Sequence, residues 1–414
     1  MGNNQSHLSV YRGAYLAGWR AAGRRSMEAA AFTVILFAVQ IWRRGPLIFP
    51  SPRKSIPKLS NEEISHLPYP PDALPGARDV STPYGSIRVY EWGPEGGRKV
   101  LFIHGISTPC IAFAGMANQL VEQRGCRVML FDLFGRGYSD APNPEVYRQD
   151  LGLWTSQIML VLSSSKLSWT GGGERFSLVG YSMGGGIAGS FTSYFPELVE
   201  SLVLIAPGGL LRPSRISTSS KLLYSGWLPG WMMNYFVGRR LRGSSGGHPA
   251  TGGKGESTAN PPDAAESEVP GHPANAKDSD AAMIPGRPGL SIAKAVAWET
   301  DEHAGFLPSF ISSIKYAPVS REHQRWKRLG MRCEARRAST EPEKISGLEE
   351  GKVLVLLGKQ DSVIVADETE KDAKEALGKE NLKVVRLEGG HDVPVVNSKG
   401  CVEAMLEFWD DSPV

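Results

Sequence analysis

A chain of 414 residues, 41% of them hydrophobic, is too long for one minimal domain and has apolar material enough for one large core with insertions. Its net charge of +3 is unevenly spread: residues 1–61 hold nine Lys and Arg against Glu28 alone, a local +8 that leaves −5 for the remainder. That balance excludes a nucleic-acid-binding body and turns the basic end toward a membrane or an import receptor.

The N-terminus opens Met-Gly-Asn-Asn-Gln-Ser, which matches the pattern for myristoylation of Gly2. Leu8, Tyr11, Tyr15, Trp19 and Ala22 then share one helical face, with Arg12 and Arg20 off it, as in a segment lying along anionic lipid. Ala29–Trp42 is uncharged and apolar, and covers roughly 21 Å of a hydrocarbon core about 30 Å thick, short for a span and ample for an interfacial helix. The expectation is membrane attachment through residues 1–44, with the catalytic domain in the cytosol. A mitochondrial presequence, which the scarcity of acids also suits, and a soluble cytoplasmic protein are the alternatives. Eight prolines between residues 45 and 75 predict a stiff linker without regular helix or inner strand.

Past the linker, Ser86–Glu91 alternates like an antiparallel strand, and Val100–His104 is a continuous apolar run like a strand buried on both faces. A helix over Ala112–Arg124, a strand over Arg127–Phe131 and a helix over Asp150–Ser164 follow. Phe176–Val179 and Ser201–Ala206 predict two more strands around a helix that opens at Gly185. Lys352–Leu357 and Leu382–Leu387 complete the strands, and Val402–Phe408 closes the chain as a helix. Strands alternating with helices predict an α/β fold with a doubly wound, mostly parallel sheet. Between Ala206 and Lys352, the apolar and aromatic stretches Lys221–Phe236 and Ile292–Leu329 predict helices of a cap over the sheet's C-terminal edge. Trp227, Trp231, Met232 and Phe236 either line an acyl pocket there or make the cap's own core. Arg242–Pro288, rich in Gly, Pro, Ser and Ala, predicts a disordered insert. The expected division is an anchor and linker over 1–60, a core over 61–210 and 345–414, and a cap over 211–344. Cys110, Cys126, Cys333 and Cys401 lack C-x-x-C spacing and fit buried thiols of a reducing compartment.

The chemistry gathers at strand ends. Gly180-Tyr181-Ser182-Met183-Gly184 is G-x-S-x-G between a strand and a helix, a context that holds the Ser182 hydroxyl on a strained, exposed elbow. Asp361 follows the strand Lys352–Leu357, and His391 follows Leu382–Leu387. Loops at those ends converge on the edge where the elbow sits. His391 would take the Ser182 proton while Asp361 fixes its tautomer. His104-Gly105-Ile106 follows another strand end, so the backbone N–H groups of Ile106 and Met183 are the expected oxyanion donors. His104 reads as a structural partner of its loop, and Asp132 and Asp140 as residues that order the turn Phe131–Asp140.

Ile103–Gly105 (IHG), Phe131–Asp140 (FDLFGRGYSD), Gly180–Gly185 (GYSMGG), Gly358–Asp361 (GKQD) and Gly389–His391 (GGH) together resemble the serine hydrolases of the α/β-hydrolase family. The likeness is to monoacylglycerol lipases and valacyclovir hydrolase among them, and it covers about Ile87–Gly209 and Lys352–Val414. The chain order Ser182, Asp361, His391 agrees with it. Ser182 stands where an epoxide hydrolase or dehalogenase has aspartate, and there is no H-G-G-G run of the hormone-sensitive-lipase branch. The resemblance implies neither a metal nor an organic cofactor, and a small-molecule or lipid ester as substrate. Acyl transfer, amide or C–C cleavage with the same triad, and a membrane-tethered hydrolase-like scaffold, are the alternatives.

Overall fold

The structure is a computed structural model that describes residues 46–224, 229–242, 263, 276–284, 286–287 and 289–411. The expectations for Gly2, the amphipathic face, the apolar run and Trp227 lie outside those residues.

Eight strands form the main sheet among the described residues: β1 (Ala77–Thr82), β2 (Gly85–Trp92), β3 (Lys99–Ile103), β4 (Arg127–Phe131), β5 (Phe176–Tyr181), β6 (Val199–Ile205), β7 (Val353–Gly358) and β8 (Leu382–Leu387). They pair in the order β8-β7-β6-β5-β3-β4-β2-β1. β2 runs antiparallel to β1 and β4, and every other pairing is parallel. β5 and β7 are buried at every residue, as unbroken Val and Leu runs require when helices cover both faces. β1 has no counterpart among the predicted strands, because Ala77–Thr82 is a half-exposed edge with only Val80 to mark an apolar side.

Helices α1 (Ala114–Arg124), α2 (Leu151–Ser163), α3 (Met183–Tyr194), α4 (Gly230–Arg242), α5 (Ile292–Glu302), α6 (Phe306–Tyr316), α7 (His323–Ala338), α8 (Ala366–Leu377) and α9 (Ser398–Asp410) follow in chain order. α1 packs on α9; α3 packs on α2 and α7, and α7 on α8. α4, α5 and α6 pack on one another and form the cap.

Three expectations need correction. First, the proline-rich stretch is part of the folded body. Ile48–Phe49 pairs with Ala141–Pro142, the Ser51 N–H donates to Asp140 at 2.8 Å, and Tyr69 is fully buried. A helix even forms at Asn61–Ser65, between prolines 57 and 68, because Ser60 and Glu63 close a capping box around its first turn. The folded unit therefore begins at Ile48, not at residue 61. Second, α7, placed in the cap by its sequence, belongs to the α/β layer: Trp326 is fully buried against Gly189 of α3 and Gly209. Third, the predicted insert has structure at its C-terminal end. Ala276–Ser279 is a helical turn, Met283 is buried, and Ala282 bridges to Ser291.

Candidate active site

The strand β5, the tight bend and α3 place Ser182 where its backbone cannot relax. Its φ of 52° and ψ of −122° lie outside the regions that L-residues favour, a strain that a surrounding structure must impose. Neighbouring backbone imposes it here. A Cβ on Gly180 would stand 2.3 Å from the Gly184 carbonyl oxygen, and one on Gly184 2.1 Å from that of Ile103, so neither position admits a side chain. The Ser182 N–H donates to the Ile205 carbonyl at 3.0 Å, and its own carbonyl accepts from Gly208 at 2.7 Å.

The three residues expected from strand ends meet. His391 Nε2 lies 3.0 Å from Ser182 Oγ, and His391 Nδ1 lies 2.9 Å from Asp361 Oδ2. The other Asp361 oxygen accepts from the N–H groups of Val363 and Ile364, each at 2.8 Å. An acceptor-only carboxylate at Nδ1 assigns the proton to that nitrogen and leaves Nε2 to accept from the serine hydroxyl. All three side chains are buried. The Tyr181 hydroxyl donates to Asp392 at 2.8 Å and its ring lies 5.3 Å from the His391 ring, which braces the imidazole from both neighbouring positions.

The Gly105–Ile106 loop abuts the elbow: a Cβ on Gly105 would lie 3.4 Å from that of Ser182. Among the described residues neither the Ile106 nor the Met183 N–H has a protein acceptor, and the latter opens α3. His104 Nδ1 bonds the Gly105 carbonyl at 2.9 Å while Nε2 accepts from the Leu133 N–H at 2.8 Å. Burial, with Arg136 nearby, lowers its pKa to about 3. A neutral imidazole with both nitrogens engaged is a brace for this loop, as its sequence position suggests. Asp132 accepts from Cys110, Tyr138 and Tyr69, and burial raises its carboxyl above the usual range. Asp140 ties its turn outward, to the N–H groups of Ser51 and Ser86.

The cap closes over this edge through buried polar contacts that the sequence did not disclose. Gly137 donates to Glu299 of α5, Gln149 donates to Ser312 of α6 at 3.1 Å, and His303 Nε2 lies 2.8 Å from the Ser139 carbonyl. Arg136 is fully buried among them. Their partners are far apart in sequence, so no local motif marks them. The face of α4 that packs inward carries Met233, Val237 and Leu241. Trp231 is 71% exposed and Phe236 44% exposed, and Met232 is half-buried, so the first two point away from any interior pocket. The four cysteines are buried and unbridged, and burial raises Cys401 to about 12. Among the described residues no three His, Cys, Asp or Glu side chains cluster as metal ligands do.

The alpha/beta hydrolase fold family model matches residues 99–398. A serine hydrolase-like protein from Danio rerio is 34% identical over 134 residues, which are 32% of this chain and 38% of that protein's length. Among the solved structures that share the fold are these two. A membrane phospholipase A described as a bacterial virulence factor has a TM-score of 0.54 at 18% identity, over 92% of this chain and 98% of its own. A structure from work on carboxylesterases of Nitrososphaera gargenis has a TM-score of 0.52 at 14% identity, over 80% and 98%.

Proposed function

The chain belongs to the alpha/beta hydrolase fold family, and from that premise we propose that it is a serine esterase or lipase that cleaves carboxylic esters with an apolar acyl group through an acyl-enzyme on Ser182. One observation carries the reading: a strained elbow serine at 3.0 Å from an imidazole that is itself held at 2.9 Å by a buried carboxylate.

In the reaction, His391 Nε2 takes the proton from Ser182 Oγ as that oxygen attacks the ester carbonyl. Asp361 keeps the proton on Nδ1 and stabilises the imidazolium that forms. The N–H groups of Ile106 and Met183 donate to the carbonyl oxygen as charge develops on it, with the positive end of α3 behind Met183. His391 then protonates the leaving alcohol. Water, deprotonated by the same nitrogen, attacks the acyl-enzyme and releases the carboxylic acid. The apolar acyl preference is supported by the cap, since α6, bonded to the turn after β4 through Ser313, carries the apolar residues Phe306, Phe310 and Ile311 on its buried face.

Turnover of a graded panel of p-nitrophenyl and acylglycerol esters tests the reading. Ser182→Ala and His391→Ala should lower turnover to background, a loss of roughly a million-fold where a serine and histidine act as one unit. A folded Ser182→Ala protein that still hydrolyses the panel would place the nucleophile elsewhere. We also propose that residues 1–44 hold the enzyme at a membrane, a reading supported by their charge and apolar pattern.

A further inference from the structure

Arg136, in the turn after β4, is fully buried, and its hydrogen bonds go to uncharged acceptors. Nε donates to the Ile106 carbonyl at 2.9 Å, Nη1 to the Phe134 carbonyl at 3.0 Å, and Nη2 to Ser313 Oγ of α6 at 2.8 Å. The guanidinium carbon lies 5.8 Å from the Trp154 ring. Among the described residues no carboxylate forms an ion pair with it. The acid that acts on it is Glu299, which accepts from the Gly137 N–H through one oxygen and has no partner for the other. Burial raises the Glu299 carboxyl well above its usual range.

A buried cation without an ion-pair partner costs several kcal/mol in desolvation, and apolar replacements of similar volume often match or improve stability. Stability alone therefore does not explain an arginine here, and its position suggests what does. Ile106 is the residue whose N–H faces the elbow. His104 holds the carbonyl of the peptide that carries that N–H, and Arg136 holds the carbonyl of the peptide after it. Fixing both planes leaves the Ile106 N–H one direction in which to point. Through Ser313 the same side chain is also seated against α6, and its neighbour Gly137 is bonded to Glu299 of α5.

We propose that Arg136 is a positioning residue for the oxyanion donor, pinned between the cap and the Ile106 carbonyl so that the Ile106 N–H is aimed at the oxygen that gains charge during attack by Ser182. The proposal rests on the proposed reaction at Ser182. It couples cap closure to the oxyanion site, since an open cap withdraws the Ser313 anchor.

The test uses the full chain and the rate constant for phosphonylation of Ser182 by a fluorophosphonate, which expels fluoride, builds charge on a phosphonyl oxygen facing the same donors and needs no carboxylic ester. Arg136→Met should fold, and its phosphonylation rate and kcat should fall together by roughly 10- to 100-fold with KM within about threefold, since a misaimed oxyanion donor approaches the loss seen on removing one. Arg136→Lys should recover part of the rate, and added guanidinium ion should rescue Arg136→Met. A folded Arg136→Met protein phosphonylated within twofold of wild type overturns the proposal, and so does a loss confined to KM. Should Arg136→Met not fold, Ser313→Ala decides: slower phosphonylation at unchanged KM supports the assignment, and an unchanged rate overturns it. A wild type that is phosphonylated but hydrolyses no ester counts against the ester reading and leaves this comparison intact.

Discussion

Ser182 can react only if its neighbours tolerate its backbone, and the contact distances at Gly180 and Gly184 show how little freedom they have. The same economy governs the base. Asp361 spends one oxygen on His391 and the other on two backbone N–H groups, so its carboxylate is fixed before any substrate arrives. Asp361→Asn should keep that geometry but offer the wrong hydrogen-bonding partner to Nδ1. Turnover should drop by about ten-thousand-fold and leave a measurable trace, whereas a variant within tenfold of wild type would remove Asp361 from the mechanism. These residues were legible because each follows a strand directly, in a short motif that survives without tertiary knowledge. Arg136, Glu299 and Ser313 were not, since their meaning depends on a cap more than 160 residues away in sequence.

Among elements, the cap is tied to the sheet layer by buried polar contacts. Its connection between α5 and α6 carries His303, whose pKa burial lowers to about 4 from an ordinary 6.5. In that interval the unfolded chain binds a proton that the folded one does not. The stability this neutral imidazole contributes is complete above about pH 6.5 and is lost progressively as pH falls toward 4, at about 1.4 kcal/mol per pH unit. Denaturant titrations from pH 7 to 4 should differ by that slope between wild type and His303→Gln, because His104 and the buried carboxyls contribute equally to both; equal slopes would mean the imidazole is solvated. The insert makes a second test. Replacing residues 244–274 with a brief Gly/Ser linker should cost little beyond the hydrogen bonds that Asp263 accepts from Ser217 and Ser220, because loop closure depends only logarithmically on length. Extending the deletion through 288 should lower Tm clearly, since it removes the buried Met283 and the bond at 2.7 Å from the Gly390 N–H to Asp278, beside His391. Equal melting temperatures would deny those contacts any weight.

The same elements show why a periodic pattern underdetermines packing. Ile292–Leu329 was legible as helical, but an apolar face looks alike whether it meets a cap or a sheet layer, and α7 met the layer. Trp231 and Phe236 read as pocket or core because aromatics usually bury, and they are exposed. The proline-rich arm read as a linker because proline forbids inner strands, and it packs by side chains and caps that do not need them.

At the scale of the molecule, no helix among the described residues is long and apolar enough to cross a membrane, and the proposed attachment is assigned to residues 1–44. Deleting them should move the protein from the pelleted to the soluble fraction of a cell lysate while hydrolysis of a water-soluble ester persists. High salt should release a peripheral attachment of the full chain. A full-length protein that is soluble without treatment would contradict membrane attachment.

The central claim is that Ser182 is the nucleophile, activated by His391. Digesting the full-length protein after brief exposure to a fluorophosphonate and locating the adduct by tandem mass spectrometry tests it most directly. The account predicts a single adduct on Ser182, lost in Ser182→Ala and slowed to background in His391→Ala. An adduct on another residue of the wild type, or undiminished labelling of Ser182→Ala, would contradict it.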